Sequence, residues 1–316
     1  MATTPEEQKA LMTLFGRMVK GRSAESAEAG AQLKTRPSDV IISTSLKSGT
    51  TWVQQICHQL RSGGDMDFVD ISDVIPFLEM AKDLDIEVDC DQKFEPRMFK
   101  THFWEPHTPK DCRYIIVSRH PYDAAISFFH FVQGWYFPTG DISLNTFTRE
   151  VFLRMAAPRS AYDFPSPAHH QASWWPRRHD NNVLWLLYED LKEDLEKNVR
   201  RIAAFLDITD EERIQLALRR STFDYMKEHR EHFEEQTNKR IINPLVGLPP
   251  DAGKGVGKVR VGGGQRALLN EENKAALDKV WAEAAEPILG AKDYDEWRSK
   301  WHAECQQQRQ DAGSST

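Results

Sequence analysis

An α/β protein with a central parallel sheet flanked by helices is the fold class that this 316-residue sequence predicts. Three observations lead there. Short apolar, β-branched runs alternate with amphipathic helical patterns, the signature of successive βαβ units. The chain is 40% hydrophobic and 10% aromatic, enough to fill a sizeable core. It shows no internal repeat of roughly 20 to 50 residues and no long low-complexity linker, so a single domain over residues 1–316 is expected.

The elements follow in order. Apolar runs predict strands at Val40–Thr44, Met98–Thr101, Tyr114–Ser118 and Val183–Tyr188. Helical periodicity predicts helices over Thr50–Leu60, over Pro121–Phe131, where proline is tolerated in the first turn, and over Lys192–Leu206. A last long helix is predicted from Glu271 to about Ile288, capped by Asn270. Between residues 228 and 264 the chain becomes polar, aperiodic and rich in Gly and Pro, which predicts a lid or nucleotide-binding loop. Part of Met1–Glu28 reads as loosely held helix or tail, and residues 306–316 as a flexible tail.

Composition excludes several function classes. A net charge of −7 and a pI near 5.9 argue against a general nucleic-acid binder, so any basic site is local. No apolar run reaches the roughly 18 residues of a membrane span. The N-terminal stretch MATTPEEQKA has neither a basic nor an apolar segment of a signal peptide. The four cysteines (Cys57, Cys90, Cys112, Cys305) are far apart and lack metal-ligand spacing, which reads as free thiols in a reducing, cytoplasmic setting.

The chemistry concentrates in VIISTSLKSGTTWVQQI, residues 40–56. A strand passing through a small-residue turn into a helix N-terminus presents free N–H groups and the positive end of the helix dipole to an anion. Gly49 permits close backbone approach, Ser48, Thr50 and Thr51 supply hydroxyls, and Lys47 adds a full charge. A Walker A loop places its lysine after the last glycine; here the lysine precedes it, and the upstream glycine is missing.

KSGTTW, residues 47–52, resembles the 5′-phosphosulfate loop of the sulfotransferases that use 3′-phosphoadenosine 5′-phosphosulfate (PAPS). Four more segments are similar to that family. FKTHF (99–103) resembles its strand carrying the catalytic histidine. VSRHPYDAAISFFHF (117–131) resembles its 3′-phosphate motif, an arginine followed eight residues later by a serine. LLYEDLKEDLEKNVRRIAAFL (186–206) and STFDYMK (221–227) match its Tyr-Glu-Asp and Ser/Thr-Phe segments. The resemblance covers about residues 38–281, and the fold it implies is the P-loop-like α/β fold of the cytosolic, small-molecule type.

The resemblance implies roles residue by residue. Lys47 would bind the bridging and sulfuryl oxygens, with Ser48, Gly49, Thr50 and Thr51 holding the 5′-phosphate and Trp52 stacking on adenine. Arg119 and Ser127 would hold the 3′-phosphate, and Tyr188, Thr222 and Phe223 would line the adenine side. His102 would be the general base, since a group titrating near neutrality can take a proton from a hydroxyl or amine. Lys100, two residues earlier on one strand face, would help neutralise the transferring group. In GKGVGKVRVGGGQRALL (253–269), Arg260, Val261 and Gly262 are favoured over Lys258 for a loop clamping the 3′-phosphate, with Gly263 at the family's second glycine. The family's Gly-Asp-Trp and its C-terminal dimer signature are missing, and Leu46 stands where the cytosolic pattern has proline. No dimer is therefore carried over.

Expected partners are PAPS as donor, its product PAP (3′-phosphoadenosine 5′-phosphate), and a small acceptor bearing a hydroxyl or amine. No metal is called for, because Lys47, Lys100 and the helix N-terminus supply positive charge. Aromatic candidates for the acceptor side are Phe77, Phe103, Trp104, Trp135, Tyr136, Phe137 and Phe164, with Glu105 and His107 nearby. Two rival readings remain. A nucleotide-dependent kinase would use a strand-end carboxylate, for which Glu189 and Asp190 are available, whereas a non-catalytic PAP/PAPS-binding protein would have no use for His102.

Overall fold

The structure is a computed structural model and describes residues 3–260 and 264–314. Four strands form one sheet: β1 (Val40–Thr44), β2 (Met98–Thr101), β3 (Arg113–Ser118) and β4 (Val183–Leu187), in the order β2-β1-β3-β4 and all parallel. Alternate residues face opposite layers, as a pleated strand requires. Ile41, Phe99, Tyr114, Ile116, Val183, Trp185 and Leu187 enter one buried cluster, and Val40, Ile42, Met98, Ile115, Val117 and Leu186 the other. Burial on both faces explains why these strands read as continuous apolar runs.

Helices cover each face. Thr50–Ser62, Leu195–Phe205 and Glu211–Arg220 place Val53, Ile56, Leu60, Val199, Ile202, Ile214 and Ala217 on one side. On the other, helices Pro167–Trp174, Glu271–Ala284 and Tyr294–Ser314 contribute Ala168, Trp174, Trp281, Trp297 and Trp301.

The predicted strands match within one residue, and Asn270 caps its helix by accepting the Asn273 N–H at 2.9 Å. Four expectations are corrected. The helix expected over Lys192–Leu206 is two, Tyr188–Glu193 and Leu195–Phe205, split at Asp194, whose carboxylate caps the second by accepting from Lys197 N at 3.0 Å. Tyr188 consequently opens a helix and does not end β4. The helix expected from Glu271 to Ile288 stops at Ala284, because Pro287 cannot continue the hydrogen-bond ladder, and a short turn Glu286–Leu289 follows. Inside 228–264 the chain forms the helix Gln236–Leu245. Its buried face holds Asn238, Lys239 and Asn243 beside Ile242, and Pro244 lies inside it, so it does not read as an ordinary helix from the sequence. The ends are also more ordered than expected: helix Pro5–Lys20 buries Leu11 and Leu14, and the last helix runs on to Ser314.

Opposite the functional edge, Arg97 and Asp39 close the sheet. Both side chains are buried, and the guanidinium meets the carboxylate at 2.9 and 2.6 Å. The same two residues bond the backbone of β1 to β2 and β3 to β1: Val40 N to Arg97 O and Arg113 N to Asp39 O, each 2.9 Å. Removing one partner strands a buried charge. Arg97→Ala is expected to cost about 3–5 kcal/mol in urea unfolding; a loss under about 1 kcal/mol would mean the pair is solvated.

Candidate active site

The sheet order reverses between β1 and β3, whose chains leave in opposite directions, and a crevice opens outside their carboxyl ends. A cleft of about 470 Å³ lies there. It is lined by Lys47, Gly49, Thr50, Thr51 and Trp52 after β1, Lys100 and His102 at β2, and Arg119 and Ser127 after β3. Tyr188, Thr222, Phe223 and Arg260 complete the sequence-predicted set that reaches it. Val261, Gly262 and Gly263 lie outside the described residues.

The turn after β1 is built for an anion. Gly49 is the N-cap of Thr50–Ser62 with φ 99°, and its lack of a side-chain cap leaves the first N–H groups facing the cleft. A Cβ on Gly49 would fall 2.7 Å from the Tyr188 ring, so glycine is required twice over, for its backbone angle and for space. Lys47 is also left-handed, at φ 65°, and its carbonyl accepts from Arg119 NH1 at 2.7 Å, which locks the two strand ends together. The Lys47 ammonium lies 4.0 Å over Phe131. Thr50 Oγ1 pairs with Thr44 Oγ1 at 2.6 Å. Ser48 is the exception among the loop residues: its hydroxyl is buried against Ser45 Oγ at 2.8 Å, where it braces the turn, and it does not line the cleft.

Arg119 is buried, lies 4.1 Å over the Tyr188 ring, and has an Nε without a partner among the described residues. An enclosed guanidinium with an idle donor fits an incoming phosphate. Trp52 donates to the Ser221 carbonyl at 2.7 Å and meets Tyr188 edge-on at 5.9 Å. Thr222 caps the helix Phe223–Glu228, and Phe223 is exposed at the rim. Arg260 is exposed and its NH1 lies 3.5 Å from the His130 carbonyl, while Lys258 enters the cleft itself.

His102 sits just past β2. Its Nδ1 lies 2.9 Å from the Thr44 carbonyl, an acceptor only, so Nδ1 carries the proton and Nε2 keeps its lone pair. Its backbone N–H donates to the buried Glu79 carboxylate at 2.5 Å. Burial, then the Lys100 charge, pull the His102 pKa down to about 3. Burial and the cations Lys258, Arg119 and Lys100 push the Lys47 ammonium well below its usual range against the pull of Glu235. Lys258 falls to about 8, through burial and Lys100, again opposed by Glu235. The cleft is thus overloaded with positive charge. Of its two lining carboxylates, Asp123 is paired with Arg266 at 2.8 Å, and Glu235 lies 3.2 Å from Lys100.

The acceptor candidates divide. Phe77 and Phe164 meet the His102 ring edge-on at 5.2 and 5.7 Å. Trp135 meets the cleft residue Phe131 at 5.3 Å and donates to Asn243 at 2.8 Å. Phe103 and Phe137 are packed in the core, Trp104 donates to His107 at 3.1 Å, and Glu105 binds Lys110; none of the acceptor candidates, Phe77, Phe164 and Trp135 included, lines the cleft itself. Tyr136 is half-buried, its ring 4.5 Å from that of Trp135. The carboxylates a kinase would need are engaged elsewhere: Glu189 accepts from His120 N and the Tyr294 hydroxyl at 3.0 and 2.8 Å, and Asp190 binds Arg298 and His302. Glu235, Lys258, Asp123, Phe131 and Gln265 line the cleft without having been assigned to it from the sequence; only Lys258, among basic residues of a Gly-rich loop, carried a signal.

A family model described as "Sulfotransferase domain" matches residues 37–284. The chain belongs to the sulfotransferase family. Human sulfotransferase 1E1 is 33% identical over 211 residues, covering 61% of this chain and 68% of that one. Dog sulfotransferase 1B1 is 30% identical over 246 residues, 70% and 77% of the two chains, and rabbit amine sulfotransferase 29% over 259, 78% and 81%. In fold the sulfotransferase resembles retinol dehydratase solved with androsterone and PAP (TM-score 0.65, 22% identity, 89% and 94% coverage). Mouse SULT7A1 with PAP is likewise similar (TM-score 0.58, 22% identity, 90% and 95%). Sulfotransferases of this family move a sulfuryl group from PAPS to a small-molecule acceptor.

Gly49→Ala places a methyl group against Tyr188 at a left-handed angle, and strain of about 1–3 kcal/mol is expected to weaken PAP binding at least about tenfold. Calorimetry on the folded variant checks this; affinity within about twofold of wild type would show that the loop backbone does not approach the phosphate.

Proposed function

We propose that this sulfotransferase acts through His102 on a small acceptor bearing a hydroxyl or amine, with PAPS as donor, the chain working as one sulfotransferase domain. The supporting observation is the His102 ring itself: the Thr44 carbonyl fixes the Nδ1 proton, which leaves Nε2 as the basic atom in a cleft whose floor is a helix N-terminus.

The donor's chemistry is a sulfuryl group on a phosphate leaving group. His102 Nε2 receives the acceptor's proton as the acceptor oxygen or nitrogen bonds to sulfur and the sulfur–oxygen bond to phosphate breaks. Lys47 and the N–H groups at Thr50 and Thr51 stabilise the charge that collects on the departing phosphate. Lys100 faces the transferring group, and Arg119 with Ser127 holds the second phosphate, aided by Arg260. Trp52, Tyr188 and Phe223 supply flat apolar surface for a purine. Phe77 and Phe164, edge-on to His102, suit an apolar or flat acceptor. None of the four cysteines forms a disulfide among the described residues, and no described helix is long and apolar enough to cross a membrane, which fits the cytoplasmic setting proposed for the enzyme.

A depressed histidine pKa keeps the imidazole neutral, and so able to accept a proton, at pH values where a free histidine would be charged. The His102 Cε1 proton is therefore expected to keep its neutral NMR shift down to pH 5. Added PAP should raise its pKa, because the phosphates offset Lys47 and Lys100. Titration near 6.5 in the free protein would contradict the buried, cation-crowded setting.

The whole reading is tested by calorimetric titration of PAP and of ATP, without magnesium, against wild type and His102→Ala. Tight PAP binding by both, weak ATP binding and a loss of turnover on the order of 10² to 10⁴ in the variant are expected. Preference for ATP that appears only with magnesium would replace it with a kinase. Unchanged turnover in the variant would remove His102 from the chemistry.

A further inference from the structure

Glu235 is a cleft carboxylate that the proposed chemistry does not use, and unlike Asp123 it faces the cleft lysines. It precedes the helix Gln236–Leu245 at φ 56°, a left-handed angle that a residue with a Cβ seldom adopts, and such strain collects at functional positions. The helix it leads into is tied to the protein body, because the buried Asp70 carboxylate accepts the Gln236 N–H at 3.0 Å. From there the Glu235 side chain, 12% exposed, reaches into the cleft. Its Oε1 lies 3.2 Å from Lys100 Nζ and also accepts from Lys258 Nζ. Burial alone would raise this carboxyl, yet Lys258 and Lys100 hold it far below the ordinary carboxylate range. One protein oxygen therefore bridges two ammonium groups where the reaction needs an anion.

We propose that Glu235 is an internal counter-anion of the sulfuryl subsite: it neutralises Lys100 and Lys258 in the free enzyme and yields Lys100 to the donor. This rests on the assignment of the cleft to PAPS. Two anions on one ammonium repel each other, so a sulfuryl group can engage Lys100 only as Glu235 lets go. PAP has no sulfuryl group and leaves the Lys100–Glu235 pair intact. Glu235 consequently weakens the loaded donor more than the spent product, and it sets the affinity ratio between them. In the free enzyme it also keeps two buried ammonium groups from standing unpaired, which is why a carboxylate is tolerated at this position.

The test compares PAPS and PAP binding to wild type, Glu235→Gln and Glu235→Asp by calorimetry without acceptor. Glutamine keeps the shape and removes the charge; aspartate keeps the charge and draws it one methylene away from Lys100. Glu235→Gln is expected to bind PAPS about tenfold tighter, with a smaller gain for PAP, and Glu235→Asp to fall between it and wild type. Equal gains for the two ligands would reduce Glu235 to a diffuse charge effect, and unchanged or weaker PAPS binding in both variants would make it an anchor for its helix. Either result overturns the proposal. Should the glutamine variant not fold, the aspartate variant decides by the same ratio. Failure of wild type to bind PAP at all would instead overturn the assignment of the cleft to PAPS.

Discussion

Positive charge confined at one edge of a sheet is the constraint on which this structure depends. Lys47, Lys100, Arg119 and Lys258 converge on a cleft that removes them largely from water. Ammonium and guanidinium groups so placed repel one another and lose hydration, and only a carboxylate, an aromatic face or a carbonyl can offset that. The molecule uses all three. Phe131 lies under Lys47, Phe77 under Lys100 and Tyr188 under Arg119. The Lys47 carbonyl takes one arm of Arg119, and Glu235 takes Lys100 and Lys258. What is left unfilled, notably the idle Arg119 Nε and the uncapped N–H groups after Gly49, is the capacity available to an anionic ligand.

The parallel sheet is what makes such a concentration possible. Every strand delivers its carboxyl end to the same edge, so residues 47, 100, 102, 119 and 188, distant in sequence, arrive side by side. The opposite edge has to absorb the resulting rigidity, and there the buried Arg97–Asp39 pair bonds β1 to both neighbours. The two edges differ in kind. At the Arg97 edge every donor on the guanidinium meets an oxygen, whereas at the other edge Arg119 bonds the Lys47 carbonyl and its buried Nε has no partner among the described residues.

How much of this was legible in the sequence follows from the range of the forces involved. The strands were readable because burial on both faces makes them apolar throughout, and the anion turn because its chemistry lies within six consecutive residues, 47–52. The break at Asp194 and the halt before Pro287 are also local, and their capping and proline signals stand in the sequence, but apolar periodicity ran across both. The helix Gln236–Leu245 was hidden by its polar buried face. Glu235 left no trace at all, since its meaning comes from Lys100, 135 positions away. The same holds for the aromatic candidates: Phe77 and Phe137 look alike in sequence, and only the packing sets one edge-on to His102 and the other beside Phe129 and Phe147.

His102 shows how one environment can serve two needs that look opposed. A base must accept a proton, yet burial and Lys100 pull its pKa down to about 3. In the free protein this keeps the ring neutral and its Nε2 lone pair available, with the tautomer already set by Thr44. The cations that depress the pKa are the ones a doubly phosphorylated, sulfated donor would neutralise. As that charge is offset, the imidazolium formed by proton transfer becomes easier to bear, and the base strengthens at the moment an acceptor is to be deprotonated. Were His102 the base of the proposed reaction, its basicity would be coupled to the charge on the cation cluster beside it, Lys100 above all, and an anion bound there would govern when the histidine could act.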